Sequence, residues 1–436
     1  MQDQQDVVDL PPVDVLPSDL ESRVAHHLIP IIVIATHTLA LVARAATWPA
    51  LSGSQPITPE QELARLLVAT EAWRTEQAPR LAALAERVDP PAFGRVAAAH
   101  RVTALLARRV RDAGLAGTPA AAGVALGDQG PALRALLMQA TSSVVTRSLE
   151  SACLAAVPLK GVTLASRLYG DELLRDPADV DVLVADEHLR PAAEVIGGLG
   201  YELVRGRVDR LPRLHLTFAD PDGLRPSVEL HWRVHWYEES FARGLVRRSV
   251  VENGVRIPSA RDEMAAALLF FHRDGFLGLR LAADVAGTWD LRRDELAPHA
   301  VAEVARCHPA LAPALAAAAE VASATVGLPG AQLMGTAGGL TRRTRMAVNL
   351  ANWQLHGDRD QMQADQALID GLSTPPRGLG GFLVRSFLLE DRHKQASSDP
   401  DGRERLRFAL LRAGHPFKLV IRLMLALVRA RAPRRF

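Results

Sequence analysis

A short apolar run that carries two carboxylates, Asp179-Val-Asp181-Val-Leu-Val, constrains this chain more than any other stretch. If the run is a β-strand, Asp179 and Asp181 project from one face, because successive side chains alternate between the two faces of a strand. Two like charges held this close are costly unless a cation lies beside them, and hard divalent cations such as Mg²⁺ prefer carboxylate oxygens. The run therefore predicts a metal-binding strand.

A third carboxylate follows in a second short alternating run, Ser-Val-Glu229-Leu-His-Trp. A strand here would place Glu229 on one face and its two apolar neighbours on the other. If this strand pairs beside the first with the acid faces aligned, Asp179, Asp181 and Glu229 form one cluster able to hold one or two Mg²⁺ ions. Two such ions stabilise the attacking and leaving oxygens of an in-line displacement at phosphorus.

A lysine–glycine pair upstream predicts a phosphate-binding turn. Lys160-Gly161 follows a β-like run and precedes a helical pattern. Glycine permits close backbone approach, and free N–H groups at the start of the next helix would face a phosphate chain beside the Lys160 charge. A lysine at such a turn can also be merely solvated. Arg175, in the loop before the acidic strand, could reach a phosphate or pair with Asp176 or Asp179.

The patterns divide the chain of 436 residues into four segments, and this length makes two or three domains the expectation. Long helical stripes give way to short β-like runs near residue 154 and return near residue 259. Strands alternating with helices in the middle segment indicate an α/β or α+β module. The predicted segments are a leader at 1–55, a helical region at 56–152, the strand-containing core at 153–258 and a second helical region at 259–436.

Helical signals are clearest outside the middle segment. Thr58-Pro-Glu-Gln61 is a capping box with proline at the first helical position. The patterns of 91–110, 131–152 and 301–326 each predict one further helix. Over 131–152 a single apolar stripe, the pattern by which a helix faces a core, consists of Leu133, Leu136, Leu137, Ala140 and Val144.

Composition argues against several classes of protein and site. A net charge of +2 gives no global sign of a nucleic-acid binder. Cys153 and Cys307 lie far apart without zinc-ligand spacing, so buried, reduced thiols in a cytoplasmic protein are expected and a structural zinc site is not. His231 and His235 have a spacing that suits a shared metal only on a helix, so packing and hydrogen bonding are the expected roles after a strand.

Two terminal segments raise the question of a membrane. The apolar run at 28–43 is shorter than a typical membrane span and contains Pro30 and His37, so a packed or poorly ordered extension is favoured over an anchor. The segment after Gly414 interleaves basic and apolar residues and could touch an anionic membrane or a nucleic acid. A terminal helix with a solvated basic face is the favoured interpretation.

These motifs together resemble a known family. Leu159-Lys-Gly161, Arg175, the Asp179 run and Val-Glu229-Leu-His-Trp resemble the uncharacterised nucleotidyltransferases of the DNA polymerase β-like superfamily, most strongly over 155–290. A glycine turn, an Asp-x-Asp strand and a later acidic strand occur in that order in this superfamily. The resemblance implies an α+β fold with a mixed β-sheet core and helices, flanked by N-terminal and C-terminal helical regions.

The resemblance also implies roles for individual residues. The metal ligands and catalytic residues would be Asp179, Asp181 and Glu229. The residues that contact the nucleotide would be Lys160, Gly161, Arg175 and Asp284. His272, Arg280 and Asp284 match polar positions that recur in the family, although a buried Asp–Arg or Asp–His pair that joins two helices is the alternative. Many superfamily members have serine after the turn glycine, where this chain has Val162.

The implied reaction is Mg²⁺-dependent transfer of a nucleoside monophosphate from an NTP to an acceptor, with release of pyrophosphate. ATP is the expected NTP, and the acceptor could be a small molecule, a peptide natural product or a protein side chain. No residue identifies the base. The alternative is a nucleotide-binding or partner-binding module without turnover, comparable to antitoxin-like members of the superfamily, and the missing serine hydroxyl favours this alternative.

Overall fold

A computed structural model describes residues 57–125, 130–176, 179–206, 214–236, 238, 240–335, 341–354, 369 and 372. The apolar leader and the basic segment after Gly414 lie outside this part of the chain. Helices come first. They are α1 (Pro59–Leu67), α2 (Glu71–Glu76), α3 (Ala78–Ala85), α4 (Pro90–Ala99), α5 (Thr103–Asp112), α6 (Pro119–Ala125) and α7 (Gly130–Ser151).

A five-stranded mixed sheet follows, in the order β1-β2-β5-β4-β3. Only the β2–β5 pair is parallel within this sheet, and the other neighbours are antiparallel. The elements are β1 (Val157–Pro158), α8 (Val162–Tyr169), β2 (Val180–Leu183), α9 (Leu189–Gly198), β3 (Glu202–Arg205), β4 (His215–Ala219) and β5 (Val228–His231). The predicted α+β fold with a mixed β-sheet core is confirmed.

The remaining described chain is helical apart from one small hairpin. Its elements are α10 (Phe241–Arg248), β6 (Val250–Glu252), β7 (Val255–Ile257), α11 (Ala260–Arg273), α12 (Leu279–Arg292), α13 (Ala300–Cys307), α14 (Ala312–Val326), α15 (Gly330–Met334) and α16 (Arg342–Gln354). The single helices predicted over 91–110 and 301–326 are each two helices. Arg101 has a φ of 56°, outside the right-handed helical region, and separates α4 from α5. Pro309 lies in the second break, and Pro313 lies in the first turn of α14, where a helix tolerates proline because the N–H groups there have no partner within the helix.

The capping box at Thr58 is present as predicted. The Thr58 hydroxyl accepts a hydrogen bond from the Gln61 backbone N–H at 3.3 Å, and the Gln61 side chain accepts from the Thr58 N–H at 3.1 Å. The helices that follow pack against α14, where the Thr70 N–H donates to the Val326 carbonyl at 2.9 Å. One apolar core therefore contains residues from both the N-terminal and the C-terminal helices.

A second apolar core lies between the sheet and helices α7 and α9. The stripe predicted to bury α7 is wrong, because Leu133, Leu136 and Val144 are 67, 51 and 44% exposed. The buried face of α7 lies on the opposite side and mixes small, hydroxyl and apolar side chains. It consists of Ala135, Met138, Thr141, Ser142, Val145 and Leu149. Both the exposed and the buried side of α7 carry apolar residues, so hydrophobicity alone does not decide which side faces the sheet. The side with small residues is the buried one, because small side chains allow close packing.

Two further features concern the surface. Both cysteines are exposed free thiols, contrary to the buried thiols that the composition suggested, because Cys153 lies in the turn after α7 and Cys307 is the last residue of α13. Within the described ranges, no helix is both long enough and apolar enough to cross a membrane.

Candidate active site on the polar face of the sheet

The candidate site is built on two adjacent parallel strands. β2 and β5 pair so that Asp181 lies opposite Glu229 and Leu183 lies opposite His231. Because side chains alternate in phase along paired strands, partners project from the same face of the sheet. Asp181, Glu229 and His231 therefore share one face, which we call the acid face.

The neighbouring strand β4 extends the acid face. It pairs antiparallel with β5, so that His215 lies opposite His231 and Thr217 lies opposite Glu229. The alternate residues of the same three strands belong to the apolar core on the other side of the sheet. These are Val180, Val182, Leu216, Phe218, Val228 and Leu230. The alternation of the sequence thus separates a polar surface from a packed one.

Asp181 is the most enclosed acid of this face, with 2% of its side chain exposed. Its Oδ1 lies 3.0 Å from Lys160 Nζ and 3.0 Å from His231 Nε2. Burial alone would raise the pKa of Asp181, but the Lys160 ammonium and the hydrogen bond from His231 hold it well below its usual range. Burial would likewise lower the pKa of His231, whereas its hydrogen bonds to Asp181 and Glu229 raise it. Asp181 is therefore held between the Lys160 ammonium and the His231 imidazole.

Asp179 lies one residue before β2, in the same phase of alternation as Asp181. Burial, followed by the negative charges of Asp181 and Glu229, raises the pKa of Asp179 to about 6, against the opposing effect of Lys160. The three carboxylates are thus close enough to repel one another, which is the condition that a divalent cation relieves. This set of carboxylate oxygens fits the preference of Mg²⁺ for hard ligands.

Two histidines enclose Glu229. His215 Nε2 lies 3.4 Å from Glu229 Oε1, and His231 Nε2 lies 3.4 Å from Glu229 Oε2. Burial would raise the pKa of Glu229, but its hydrogen bond with His231 is the largest of the effects that lower it. Burial, and then the neighbouring His231, lower the pKa of His215 to about 4, so this imidazole is neutral at pH 7.

Sequence reasoning missed His215, and it gave His231 packing and hydrogen bonding as roles, as for His235, without placing it among the acids. His235 in fact hydrogen-bonds His272 at 3.1 Å, whereas His231 contacts the acids. A signal was available, because strict alternation in His215-Leu-Thr-Phe places His215 on the polar side of its strand. The alternation did not specify that this strand pairs with β5, which is what brings His215 beside Glu229 and His231.

The predicted phosphate turn is a genuine helix start. Gly161 has a φ of 83° and is the N-cap of α8, a conformation that an L side chain adopts only with strain. Val162 is buried in the apolar core, so its side chain cannot replace a phosphate-binding hydroxyl. The Lys160 ammonium lies 3.0 Å from Asp181 Oδ1 and 5.2 Å from the centre of the Phe270 ring.

A largely enclosed cleft adjoins Lys160 between the β1–α8 region and helices α11 and α12. Besides Lys160, its lining includes the charged residues Glu263 and Asp284. Its other walls are mostly apolar, formed by Pro158, Leu159, Leu164, Leu245, Pro258, Ala266, Ala267, Phe270, Leu281 and Thr288. The cleft is therefore a mainly apolar space with a cation at the end nearest the acid face.

Arg175 and Asp284 form a buried ion pair. Arg175 Nε lies 3.1 and 3.0 Å from the two carboxylate oxygens of Asp284, and a terminal nitrogen lies 2.9 Å from one of them. The Tyr169 hydroxyl donates to the same carboxylate at 3.4 Å. A buried Asp–Arg pair is present at Asp284, but its arginine comes from a loop, so it is not the pair between two helices that the sequence left open. It joins α12 to the loop before β2, and contact of either residue with a nucleotide stays a prediction.

Three arginines converge on Asp176, just before the acidic strand. Arg101 and Arg134 approach its carboxylate at 2.8 and 3.2 Å, and Arg280 donates to its backbone carbonyl at 2.9 Å. Burial, and then the positive charges of Arg175 and Arg101, lower the pKa of Arg280. The charges of Asp284 and Asp274 also act on Arg280, against these two effects, so Asp176 is not the only carboxylate near this arginine cluster.

Comparison with known proteins adds the family. Searches of curated proteins and of solved structures gave no significant match. A family described as uncharacterised nucleotidyltransferase matches residues 86–326, which include helices α4 to α7 before the sheet, the whole acid face and α11 to α14. The match covers more than half of the chain, and its description agrees with the carboxylates in register on β2 and β5. The chain belongs to the uncharacterised nucleotidyltransferase family.

Proposed function

We propose that this protein transfers a nucleoside monophosphate from an NTP, with ATP as the first candidate, to an acceptor hydroxyl or phosphate, releasing pyrophosphate. The observation that carries the proposal is the pairing of Asp181 with Glu229 on parallel strands, beside Asp179. These three carboxylates would hold one or two Mg²⁺ ions. When bound, Mg²⁺ would neutralise charge on the phosphates and on the attacking oxygen.

The phosphates of the NTP need cationic and N–H donors near the acid face. The open N-terminus of α8 after Gly161 supplies backbone N–H groups, and Lys160 supplies a charge at the same turn. The arginine cluster of Arg101, Arg134 and Arg280 supplies the remaining charge. The Arg175–Asp284 pair is proposed to hold the loop before β2 in place, and so to position Asp179.

The acceptor is proposed to be a small molecule, a peptide or a protein side chain that presents a hydroxyl or phosphate. A carboxylate of the acid face, with Glu229 as the first candidate, would accept the proton of an attacking hydroxyl. Glu229 is suited to this role because its side chain is 20% exposed, whereas that of Asp181 is 2% exposed.

The test uses the full chain with Mg²⁺ and each of the four NTPs, labelled at the α-phosphate, together with panels of candidate acceptors. The proposal expects release of pyrophosphate and a labelled acceptor from the wild type. It expects neither from an Asp179→Ala, Asp181→Ala double variant. Asp186→Asn is the matched control, because Asp186 pairs with Arg243 on the surface of the same module. Full activity in the double variant would reject the metal-ligand assignment.

One observation favours the second candidate, a nucleotide-binding module without turnover. Asp181 Oδ1 is already engaged by both Lys160 and His231, and the turn has buried Val162 instead of an exposed hydroxyl. This candidate predicts nucleotide binding, measured by calorimetry, with no transfer to any acceptor. A Lys160→Met variant distinguishes the two, since only an enzyme can show a change in the rate of transfer.

A further inference from the structure

A second set of donor atoms lies on the acid face, beside the carboxylates proposed for Mg²⁺. We propose that His215, Glu229 and His231 form a site for a transition-metal ion that prefers imidazole, with Zn²⁺ as the first candidate. Their ligand atoms all lie within 4.8 Å of one another. This site shares Glu229 with the proposed Mg²⁺ cluster, but its existence does not depend on nucleotide transfer.

The backbone holds these three side chains in place. His215 and His231 are direct partners across the β4–β5 pair, and Glu229 lies two residues before His231 on the same face. All three donors thus come from one antiparallel strand pair within the sheet, not from loops. Metal ligands on paired strands keep their separation, because the ladder hydrogen bonds fix the register of the strands.

The distances place both imidazoles beside the Glu229 carboxylate. His215 Nε2 lies 3.4 Å from Glu229 Oε1, and His231 Nε2 lies 3.4 Å from Glu229 Oε2. The two histidines thus approach different oxygens of one carboxylate, and one ligand atom from each of the three side chains lies within 4.8 Å of the other two.

The chemistry of the donors favours a transition-metal ion over Mg²⁺. Two imidazoles and one carboxylate are a ligand set of catalytic zinc sites, whereas Mg²⁺ selects all-oxygen sites. Three protein ligands would leave a fourth position for a substrate oxygen.

The experiment measures metal binding without any nucleotide. Full-length protein is prepared with Cys153→Ser and Cys307→Ser in every sample, because both thiols are exposed and could bind zinc themselves. After chelator treatment, Zn²⁺ affinity is measured by competition with a chromogenic chelator, and Co²⁺ is used as a spectroscopic probe. We expect one equivalent of Zn²⁺, no displacement by excess Mg²⁺, and Co²⁺ absorption typical of tetrahedral or five-coordinate sites.

His215→Ala is the decisive variant, since His215 lies partly exposed on β4 and its loss leaves the buried His231–Asp181 contact in place. We expect at least about a tenfold loss of Zn²⁺ affinity, with the Co²⁺ spectrum changed. His308→Ala removes an imidazole that contacts Ser240 and Phe241, outside the cluster, and should bind Zn²⁺ as the starting protein does.

Absence of Zn²⁺ binding, equal affinity in His215→Ala, or easy displacement by Mg²⁺ would each overturn the proposal. His215→Gln, which preserves much of the side-chain volume, checks that any loss in His215→Ala does not come from a disturbed strand. Asp179→Asn separates this proposal from the proposed function. It should abolish nucleotide transfer and still bind Zn²⁺, so failure of either idea can be recognised independently.

Discussion

The two faces of the central sheet are made by the same strands and behave as opposites. On one face Val182, Leu216 and Leu230 are fully buried against helices α7 and α9. On the other, alternate residues of those strands bring carboxylates and imidazoles within hydrogen-bonding distance of one another. Packing of the apolar face helps to fix the register of the strands, and that register places the like-charged carboxylates of the acid face side by side.

This comparison shows how a small sheet can tolerate a costly site. Repulsion among three carboxylates disfavours their approach. Burial of the apolar face contributes about 25 cal/mol for each Å² removed from water and opposes that repulsion. The chain also places the Lys160 ammonium and the His231 imidazole within 3.0 Å of Asp181 on the acid face. Substitutions on the two faces should therefore have separable effects, on stability from one and on chemistry from the other.

The largest effect is expected from the acid face. Asp181→Asn keeps the shape of the side chain but removes the charge that would hold Mg²⁺, so nucleotide transfer should fall by at least about 10³-fold. Initial rates at saturating NTP and Mg²⁺ measure the loss. Asp186→Asn, on the same module, should keep the wild-type rate. If Asp181→Asn retains a tenth of the activity, the proposal that the acid face carries the transfer chemistry is contradicted.

The apolar face should show the reverse behaviour. Leu216 is fully buried, so Leu216→Ala should lower the free energy of unfolding by about 2–5 kcal/mol through lost burial and a residual cavity. Urea titration followed by circular dichroism measures this change. Under native conditions the folded fraction should transfer nucleotide at the wild-type rate. A large loss of rate with unchanged stability would contradict the comparison.

Glu238 extends the comparison to a buried acid outside the sheet, which accepts hydrogen bonds from backbone N–H groups, among them those of Val234 at 3.0 Å and Ala242 at 3.1 Å. Burial raises its pKa to about 7, against the smaller opposing effect of these hydrogen bonds. The folded protein thus holds a proton that the unfolded chain loses near pH 4.5. Stability should therefore fall as pH rises from about 4.5 through 7, by up to about 3 kcal/mol in total.

Urea titrations at several pH values, on wild type and Glu238→Gln, measure this dependence. The glutamine variant loses one hydrogen-bond acceptor, which lowers stability at every pH, but it should lack the slope that Glu238 contributes. An identical slope in the two proteins would show that Glu238 is ionised in the folded state throughout.

A smaller effect is expected at the arginine cluster, which lies outside both faces. Arg280→Gln should raise the KM for NTP about tenfold and leave kcat within about twofold, because the guanidinium is proposed to bind phosphates without taking part in the transfer. Steady-state kinetics with varied NTP measure both constants. Arg190→Gln is the matched control, since Arg190 is exposed and pairs only with Glu194 among the described contacts.

The smallest effect is expected on the outer side of α7. Leu136 is 51% exposed, so Leu136→Gln should change the free energy of unfolding by no more than about 0.5 kcal/mol. The same urea titration used for Leu216→Ala measures it. A destabilisation comparable to that of Leu216→Ala would mean that this stripe is covered in solution.

Local chemistry explains what could be predicted from the sequence. The capping box at Thr58, the helix after Gly161 and the acid alternation around Asp181 depend on neighbours a few residues away, and each is present. The mixed sheet followed from alternation together with the family resemblance. The sequence predicted that Glu229 lies beside Asp181 only if the two strands pair with their acids aligned, and β2 and β5 do pair in this register.

Choices between distant partners explain what could not be predicted. The sequence offered Arg175 a phosphate, Asp176 or Asp179, whereas its partner is Asp284, 109 positions away. Lys160 likewise contacts Asp181, because the antiparallel β1–β2 pair brings the turn beside the acidic strand. On α7 the apolar stripe exists in the sequence but is exposed, because the side of the helix that the sheet covers is the one whose residues are small enough to pack closely. Such preferences involve the whole fold and leave no local pattern.

The pairing of the strands also has a consequence for the order of folding. His215, Glu229 and His231 belong to one antiparallel strand pair whose strands follow each other in the chain, so their approach closes only a short loop. Asp181 must join them from fifty positions away, across the parallel β2–β5 contact, and closing that longer loop has a larger entropic cost. The histidines should therefore meet Glu229 before Asp181 arrives. A nascent chain would contain half of the site early, and the complete acid cluster only once the sheet has closed.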